Sequence, residues 1–490
     1  LDSQIADSVK RSVRVGVVAA AAVQFAAQVV SLGTLAVLYR LITPEEFGVL
    51  AMVLPIIYLI RNVATLGLDV ATVQARQLTD DEISSLFWLN LFTGTVAAVM
   101  AMAAAPMVAW FYGQPRLLSV TLALSGTSLA LALGMQHQAL LERRMQLAQA
   151  AVLRLIAHVV AAAGAIGMAW AGYGVWALVL QNYCQLLVLA AAAWIAEPWR
   201  PRRPGTAPPV WNHVRVGGYF AAGGIFFFLA AHIDRVLIGR LINQRAVGLY
   251  SQASGLMMRP AASVAIPLGR IMLSSLARTA SAPRARDELL AAFYRLAAVL
   301  LMPATVGLAL VGDLVMRVLG GPAWVEAGPV FRVLSLTLLS QALIQMSVSV
   351  YASAGRTRPM SVAAGTLSAM VVAALVAGWY VGRQWNEPVR GVAWAYTVLI
   401  LVATVPYMTL CHRVCGYRPH MMRDALARPA WATLIMAAAV VFSPKGIPEF
   451  GAWPAWGQLL AQVTVGIIVY AFVARKELHW VTAQLRQAAS

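Results

Sequence analysis

RLITPEEFGVL (Arg40–Leu50) and RLINQRAVGLY (Arg240–Tyr250) align without gaps at an offset of 200 residues and share Arg, Leu, Ile and Gly at matching positions. Leucine and isoleucine matches carry little weight in an apolar chain; the arginine and glycine matches carry more. Each stretch lies between the first and second apolar run of its half of the chain. A second echo precedes the sixth run of each half, where AGYGVWAL (Ala171–Leu178) resembles PVRGVAWAY (Pro388–Tyr396). Duplicated bundles of this kind are a common way to build a transporter. The repeat therefore predicts six spans, a linker, six spans and two more at the end.

The composition agrees with this reading. Of 490 residues, 60% are hydrophobic and 11% charged, with a mean hydropathy of +0.73, whereas ordinary soluble domains run near a quarter charged. The apolar runs recur almost end to end and leave no stretch long enough for a separate water-soluble domain, which excludes a soluble enzyme on a membrane anchor. The 37 Lys+Arg against 19 Asp+Glu give a net charge of +18. These cations sit in short loops and not on one wettable face, so nucleic acid is not an expected partner. Anionic membrane lipid is. The three cysteines, Cys184, Cys411 and Cys415, form no disulfide framework. Cys411 and Cys415 flank His412, but a fourth ligand is lacking and no metal site is expected.

A helix needs roughly 20 residues to cross ~30 Å of hydrocarbon. On that measure the chain has about fourteen spans, at approximately 15–39, 47–70, 84–111, 117–138, 147–170, 174–196, 215–239, 247–273, 288–312, 328–353, 359–382, 390–411, 427–443 and 455–474. The expected fold is all-α and polytopic, with two pseudo-symmetric six-helix bundles around a central cavity and two C-terminal helices. Its divisions are 1–196, a cytoplasmic linker at 197–214, a second bundle at 215–411, and two helices with a tail at 412–490. The linker, within EPWRPRRPGTAPPVWNHVR (Glu197–Arg215), combines proline with arginine and cannot form a regular helix. Loops rich in Lys and Arg stay in the cytoplasm. One set carries Arg143 and Arg144, Arg278, Arg284 and Arg286, Arg356 and Arg358, and Arg413, Arg418 and Arg423; the opposite set is poorer. Both termini are expected in the cytoplasm. The opening stretch LDSQIADSVKRSVRVG is polar and basic and shows no cleavable signal pattern.

Charges inside spans cost ~2.5–3.5 kcal/mol each on insertion scales, and they mark functional candidates by default. Arg61 and Arg259 stand near the middle of the second and eighth spans, 21 and 19 residues after the repeat markers Arg40 and Arg240. Arg154 and Arg295 lie about two turns into the fifth and ninth spans. Arginine binds phosphate oxygens bidentately and stays charged in low dielectric, so these four are the expected head-group ligands for an anionic lipid. For Arg154 and Arg295, snorkelling to the interface is an equal alternative. Pro55, Pro260 and Pro303 accompany the cations and permit helix bends. Asp69, Asp234 and His158 are candidates for coupling to H+ or Na+; for Asp234 an ion pair with Arg235 is the plainer reading. No other cofactor is expected.

No nucleotide-binding glycine loop, GxSxG or HExxH occurs. Asp313 and Glu326 are the only obvious candidates for a catalytic carboxylate in the outer loops, and solvated helix ends are the simpler account of both. A glycan polymerase or ligase is expected to have a larger outer loop than this chain has.

LITPEEFGVLAM (Leu41–Met52), GLDVATVQARQLTDDEISSLFWLNL (Gly67–Leu91) and DRVLIGRLINQRAVGLYSQA (Asp234–Ala253) resemble the signatures of Wzx-type bacterial polysaccharide transporters, within the multidrug/oligosaccharidyl-lipid/polysaccharide (MOP) flippase superfamily. The resemblance covers roughly residues 10 to 415. It implies two six-helix bundles and the flipping of an undecaprenyl-diphosphate-linked oligosaccharide across the inner membrane, for exopolysaccharide, capsule or O-antigen synthesis. A polysaccharide polymerase and export proteins are the partners it suggests. By position, Arg61 and Arg259 take the role of cationic cavity residues. The alternatives are a lipid II-type or multidrug exporter of the same superfamily, or a membrane glycan polymerase or ligase. A multidrug exporter for cationic drugs would favour carboxylates in its cleft, which arginines argue against.

Overall fold

The T-D-D-E run at Thr79–Glu82 shows how this chain turns an apolar run into a helix. The Thr79 side chain accepts from the Glu82 amide, and the Thr79 amide donates back to Glu82 Oε2 at 2.8 Å, which satisfies donors that a helix start leaves open. Asp80 and Asp81 add negative charge where the helix dipole favours it. A computed structural model describes residues 23, 25–65, 79–144, 146–202, 232–279, 282–418, 421–446 and 450–489, and all regular structure among them is helical. The chain divides into two units, Leu1–Gly248 and Leu249–Ser490.

The first unit holds α1 (Phe25–Leu41), α2 (Pro44–Thr65), α3 (Asp80–Tyr112), α4 (Arg116–Ser125), α5 (Thr127–Arg143), α6 (Leu147–Trp170), α7 (Val175–Ala196) and α8 (232–241). Helices α4 and α5 form one span, Arg116–Arg143. Beyond α7 the chain leaves helical geometry, as its prolines require. Its described start is nonetheless packed: buried Glu197 pairs with Arg144 at 3.1 Å, and Trp88 Nε1 donates to the Arg202 carbonyl at 2.7 Å. The Trp199 carbonyl sits 3.2 Å from His137 Nε2, beside the His137–Trp194 stack. Residues 203–214 lie outside the described residues.

The second unit contains most of α9 (Gln244–Arg278), then α10 (Pro283–Gly320), α11 (Ala327–Ser335), α12 (Leu338–Ser353), α13 (Thr357–Gln384), α14 (Pro388–Cys415), α15 (Met421–Gly446), α16 (Ala455–Val473) and α17 (Arg475–Ala489). Helices α13 and α14 touch backbone to backbone, and a Cβ on Gly391 would fall 2.3 Å from the Gly378 carbonyl oxygen. Small residues allow that approach, which gives membrane helices dispersion contact where no hydrophobic effect acts. Helices α15 and α16 bury Ala432, Met436, Val440 and Tyr470 against Val311 of α10, and the Tyr470 hydroxyl donates to the Val299 carbonyl at 2.9 Å.

Ten helices among the described residues are long and apolar enough to cross a membrane, and eleven if a bent pair is one span. The pair is α11 and α12, read from sequence as the single span 328–353 and bent by 51°. The remaining expected spans differ for identifiable reasons. The span 15–39 is described only in part, as the shorter apolar α1. The span 215–239 falls mostly outside the described residues. The span 47–70 is described only as far as Thr65, as the 22-residue α2.

Candidate functional site

The two repeat stretches meet within the first unit. A Cβ on Gly48 would lie 1.8 Å from the Gln244 carbonyl oxygen, and one on Gly248 would lie 1.8 Å from the Pro44 carbonyl oxygen. These contacts are mirror statements of one another at the offset of 200, so the start of α2 and the start of α9 cross about a local two-fold. Only glycine fits such a crossing. The charges follow the same relation: Glu45 and its counterpart Arg245 form an ion pair at 2.5 Å. Burial works to raise the Glu45 carboxyl, but the hydrogen bond from Arg245, with further bonds at Glu45 itself and Thr43, holds it below the ordinary glutamate value. Glu46 binds both Arg116 nitrogens, at 2.7 and 2.9 Å, and accepts from the Val175 amide at 2.7 Å, capping α7. The first repeat's acidic pair thus ties three helix starts together. Sequence reading missed this role, although opposite charges at equivalent positions 45 and 245 were its signal.

The four arginines expected to bind a head group stand in different surroundings. Arg61 is half-buried near the end of α2, with its guanidinium 4.6 Å from the centre of the Tyr58 ring. Among the described residues no carboxylate pairs with it. Arg259 is half-buried on α9, with Pro260 and Pro267 following in the same helix. Arg154 on α6 is bonded to Glu142 at the end of α5. Arg295 on α10 donates to Glu477 of α17 at 2.5 Å and lies 4.5 Å from the Trp480 ring centre. Glu477 is 7% exposed at its side chain and also lies 3.7 Å from Arg428.

The candidates for ion coupling are also separated. Asp234 lies in α8, and its side chain accepts from the Arg235 amide at 2.8 Å, a local bond to the next residue. His158 Nδ1 sits 2.9 Å from the Arg154 carbonyl one turn earlier in α6. Asp69 lies outside the described residues. Of the two candidates for a catalytic carboxylate, Asp313 is held by Arg332 at 2.8 Å. His412, between its two cysteines, meets the Tyr294 hydroxyl at 2.9 Å.

Among the described residues, long apolar helices with charges set into them make a polytopic membrane protein. The fold is similar to that of a structure described as "Lipid II flippase MurJ, inward closed conformation", with a TM-score of 0.74 and 12% identity over 94% of this chain and 99% of that one. It is also similar to an inward-facing multidrug resistance MATE transporter of the MOP superfamily, with a TM-score of 0.64 and 13% identity over 81% and 96% of the two chains. The family profile described as "Polysaccharide biosynthesis protein" matches residues 37–329, and the chain belongs to that family. Its relatives include the teichuronic acid biosynthesis protein TuaB of Bacillus subtilis (strain 168), 22% identical over 84% of this chain and 85% of that one. Another is the succinoglycan biosynthesis transport protein ExoT of Rhizobium meliloti (strain 1021), 26% identical over 62% of each. The chain is a multi-pass membrane protein of the polysaccharide biosynthesis family.

Proposed function

We propose that the protein flips an undecaprenyl-diphosphate-linked oligosaccharide across the bacterial inner membrane by alternating access, with both termini in the cytoplasm. In this reading the halves 1–196 and 215–411 are the two moving six-helix bundles of a fourteen-span protein, and Arg61 and Arg259 receive the diphosphate. A diphosphate offers several anionic oxygens, which guanidinium groups bind in pairs. The polyprenyl tail stays in lipid while the sugar crosses. The observation that carries the reading is Arg61: a half-buried cation in a membrane helix, held by an aromatic ring and matched by no carboxylate among the described residues. A purely structural cation is expected to bring its own counter-charge. Arg154 and Arg295 have such partners, and their part in head-group binding is secondary.

The test is export in a host lacking its own transporter. Arg61→Ala and Arg259→Ala are expected to stop polysaccharide export while the protein reaches the membrane at normal level; full export by both variants overturns the proposal.

A further inference from the structure

Two pockets open in the second unit, and their charges differ. The larger, about 570 Å³, is lined by Arg284, Arg295, Arg418 and Arg428 but also by Asp287, Glu288 and Asp424. It is largely self-neutralised, with Arg418 turned to Asp287 at 3.7 Å. The second, about 530 Å³, is lined by Arg286, Arg356 and Arg413 together with Ser353, Cys415 and Tyr417, and among the described residues no carboxylate lines it.

We infer that this second pocket is a binding site for a phosphate-bearing anion at the cytoplasmic face of the membrane. The three arginines come from three places in the chain: the first turn of α10, the turn before α13 and the last turn of α14. The sequence assigns all three to positive, cytoplasmic loops; the fold brings those loops to one cavity. Self-repulsion of three guanidinium groups around a common space is unfavourable without an anion to share. Arg286 is fixed in place by a bond to the Gly416 carbonyl at 2.6 Å and by the Tyr417 ring, 4.2 Å away. Its Nε is buried and has no hydrogen-bond partner among the described residues. Arg356 and Arg413 are exposed, and neither forms an ion pair with a carboxylate among the described residues. One preset guanidinium and two adjustable ones suit an oxyanion with several oxygens, because charge-assisted bonds to phosphate are among the strongest hydrogen bonds available. The site lies apart from Arg61 and Arg259 and does not rest on the transport reading. The same chemistry is offered by the head group of an anionic phospholipid and by a free phosphate compound.

The test uses the full-length protein purified in detergent. Inorganic pyrophosphate is titrated by calorimetry, and native mass spectrometry counts phosphatidylglycerol against phosphatidylcholine retained from mixed nanodiscs. Saturable binding is expected, weakened about tenfold by Arg356→Gln or by Arg413→Gln and unchanged by Arg358→Gln, a neighbouring exposed arginine that does not line the pocket. Preferential retention of phosphatidylglycerol that pyrophosphate displaces supports the site with a lipid as its source. Pyrophosphate binding without lipid preference supports it with a soluble phosphate. Absence of saturable binding of either probe to the unmodified protein overturns it, whatever the variants do. So does an equal loss in Arg358→Gln, which would signal general charge attraction.

Discussion

Arg61 and Arg295 both sit in long membrane helices, and they are held in opposite ways. Arg295 has the buried carboxylate of Glu477 at 2.5 Å and the Trp480 ring beside it. Arg61 has the Tyr58 ring and no carboxylate among the described residues. A cation with an inbuilt counter-charge stabilises one arrangement of helices. A cation braced only by a π-face keeps its charge for something that arrives later. The difference separates arginines that hold the protein together from those available to a ligand, and each prediction below presses on it.

The largest effect is expected at Arg61. Removing a group that makes charge-assisted bonds to a diphosphate forfeits roughly 10- to 100-fold in translocation, with melting temperature nearly unchanged. Arg295→Ala is expected to do the reverse. It strips the main partner from buried Glu477 and costs about 2–3 kcal/mol of stability, short of a full buried pair because Arg428 remains 3.7 Å away. Translocation per folded molecule should stay within about twofold, and adding Glu477→Gln should return much of the stability, as thermal melts of the single and double variants would reveal. Arg154→Ala tests the same logic at an exposed pair, where the side chains of Arg154 and Glu142 are 43% and 37% accessible. There the loss should be under about 1 kcal/mol.

The smallest effect belongs to Glu45. Its carboxyl titrates below the ordinary value of 4.5, so its pair with Arg245 stabilises fully above that value and fades as pH falls through the lower, folded one. The stability difference between the unmodified protein and Glu45→Gln should be constant from about pH 5 upward and shrink below about pH 4. Both side chains are about a third exposed, which keeps it under about 1 kcal/mol. A difference that grows toward low pH would contradict the pairing.

Much of this was legible in the chain itself. The gapless offset from Arg40 to Arg240 stood out because glycine and arginine matches are costly in an apolar sequence, and Gly48 and Gly248 prove to be where the two stretches cross. Helix positions followed from apolar length alone: α3, α13 and α14 cover the expected runs and extend beyond them, because capping and interfacial residues prolong a helix past the hydrocarbon. The T-D-D-E capping box at Thr79 was also open to reading. The 51° bend between α11 and α12 was not, since neither Gly nor Pro lies between Ser335 and Leu338. The partner of Arg295 was out of reach for another reason. Glu477 is 182 residues away, and no local period connects a cation in one helix to an acid beyond the last span. Pairing of this kind is tertiary, and it alone tells Arg61 from Arg295.

The most direct measurement reconstitutes the purified protein in liposomes with a lipid-diphosphate oligosaccharide and follows exposure of the sugar to an enzyme added outside, with Arg61→Ala and Arg295→Ala in parallel. Flipping that is lost in Arg61→Ala and kept by folded Arg295→Ala is the predicted result. Equal activity of Arg61→Ala and the unmodified protein, or polymerised glycan in place of flipped lipid, would contradict it.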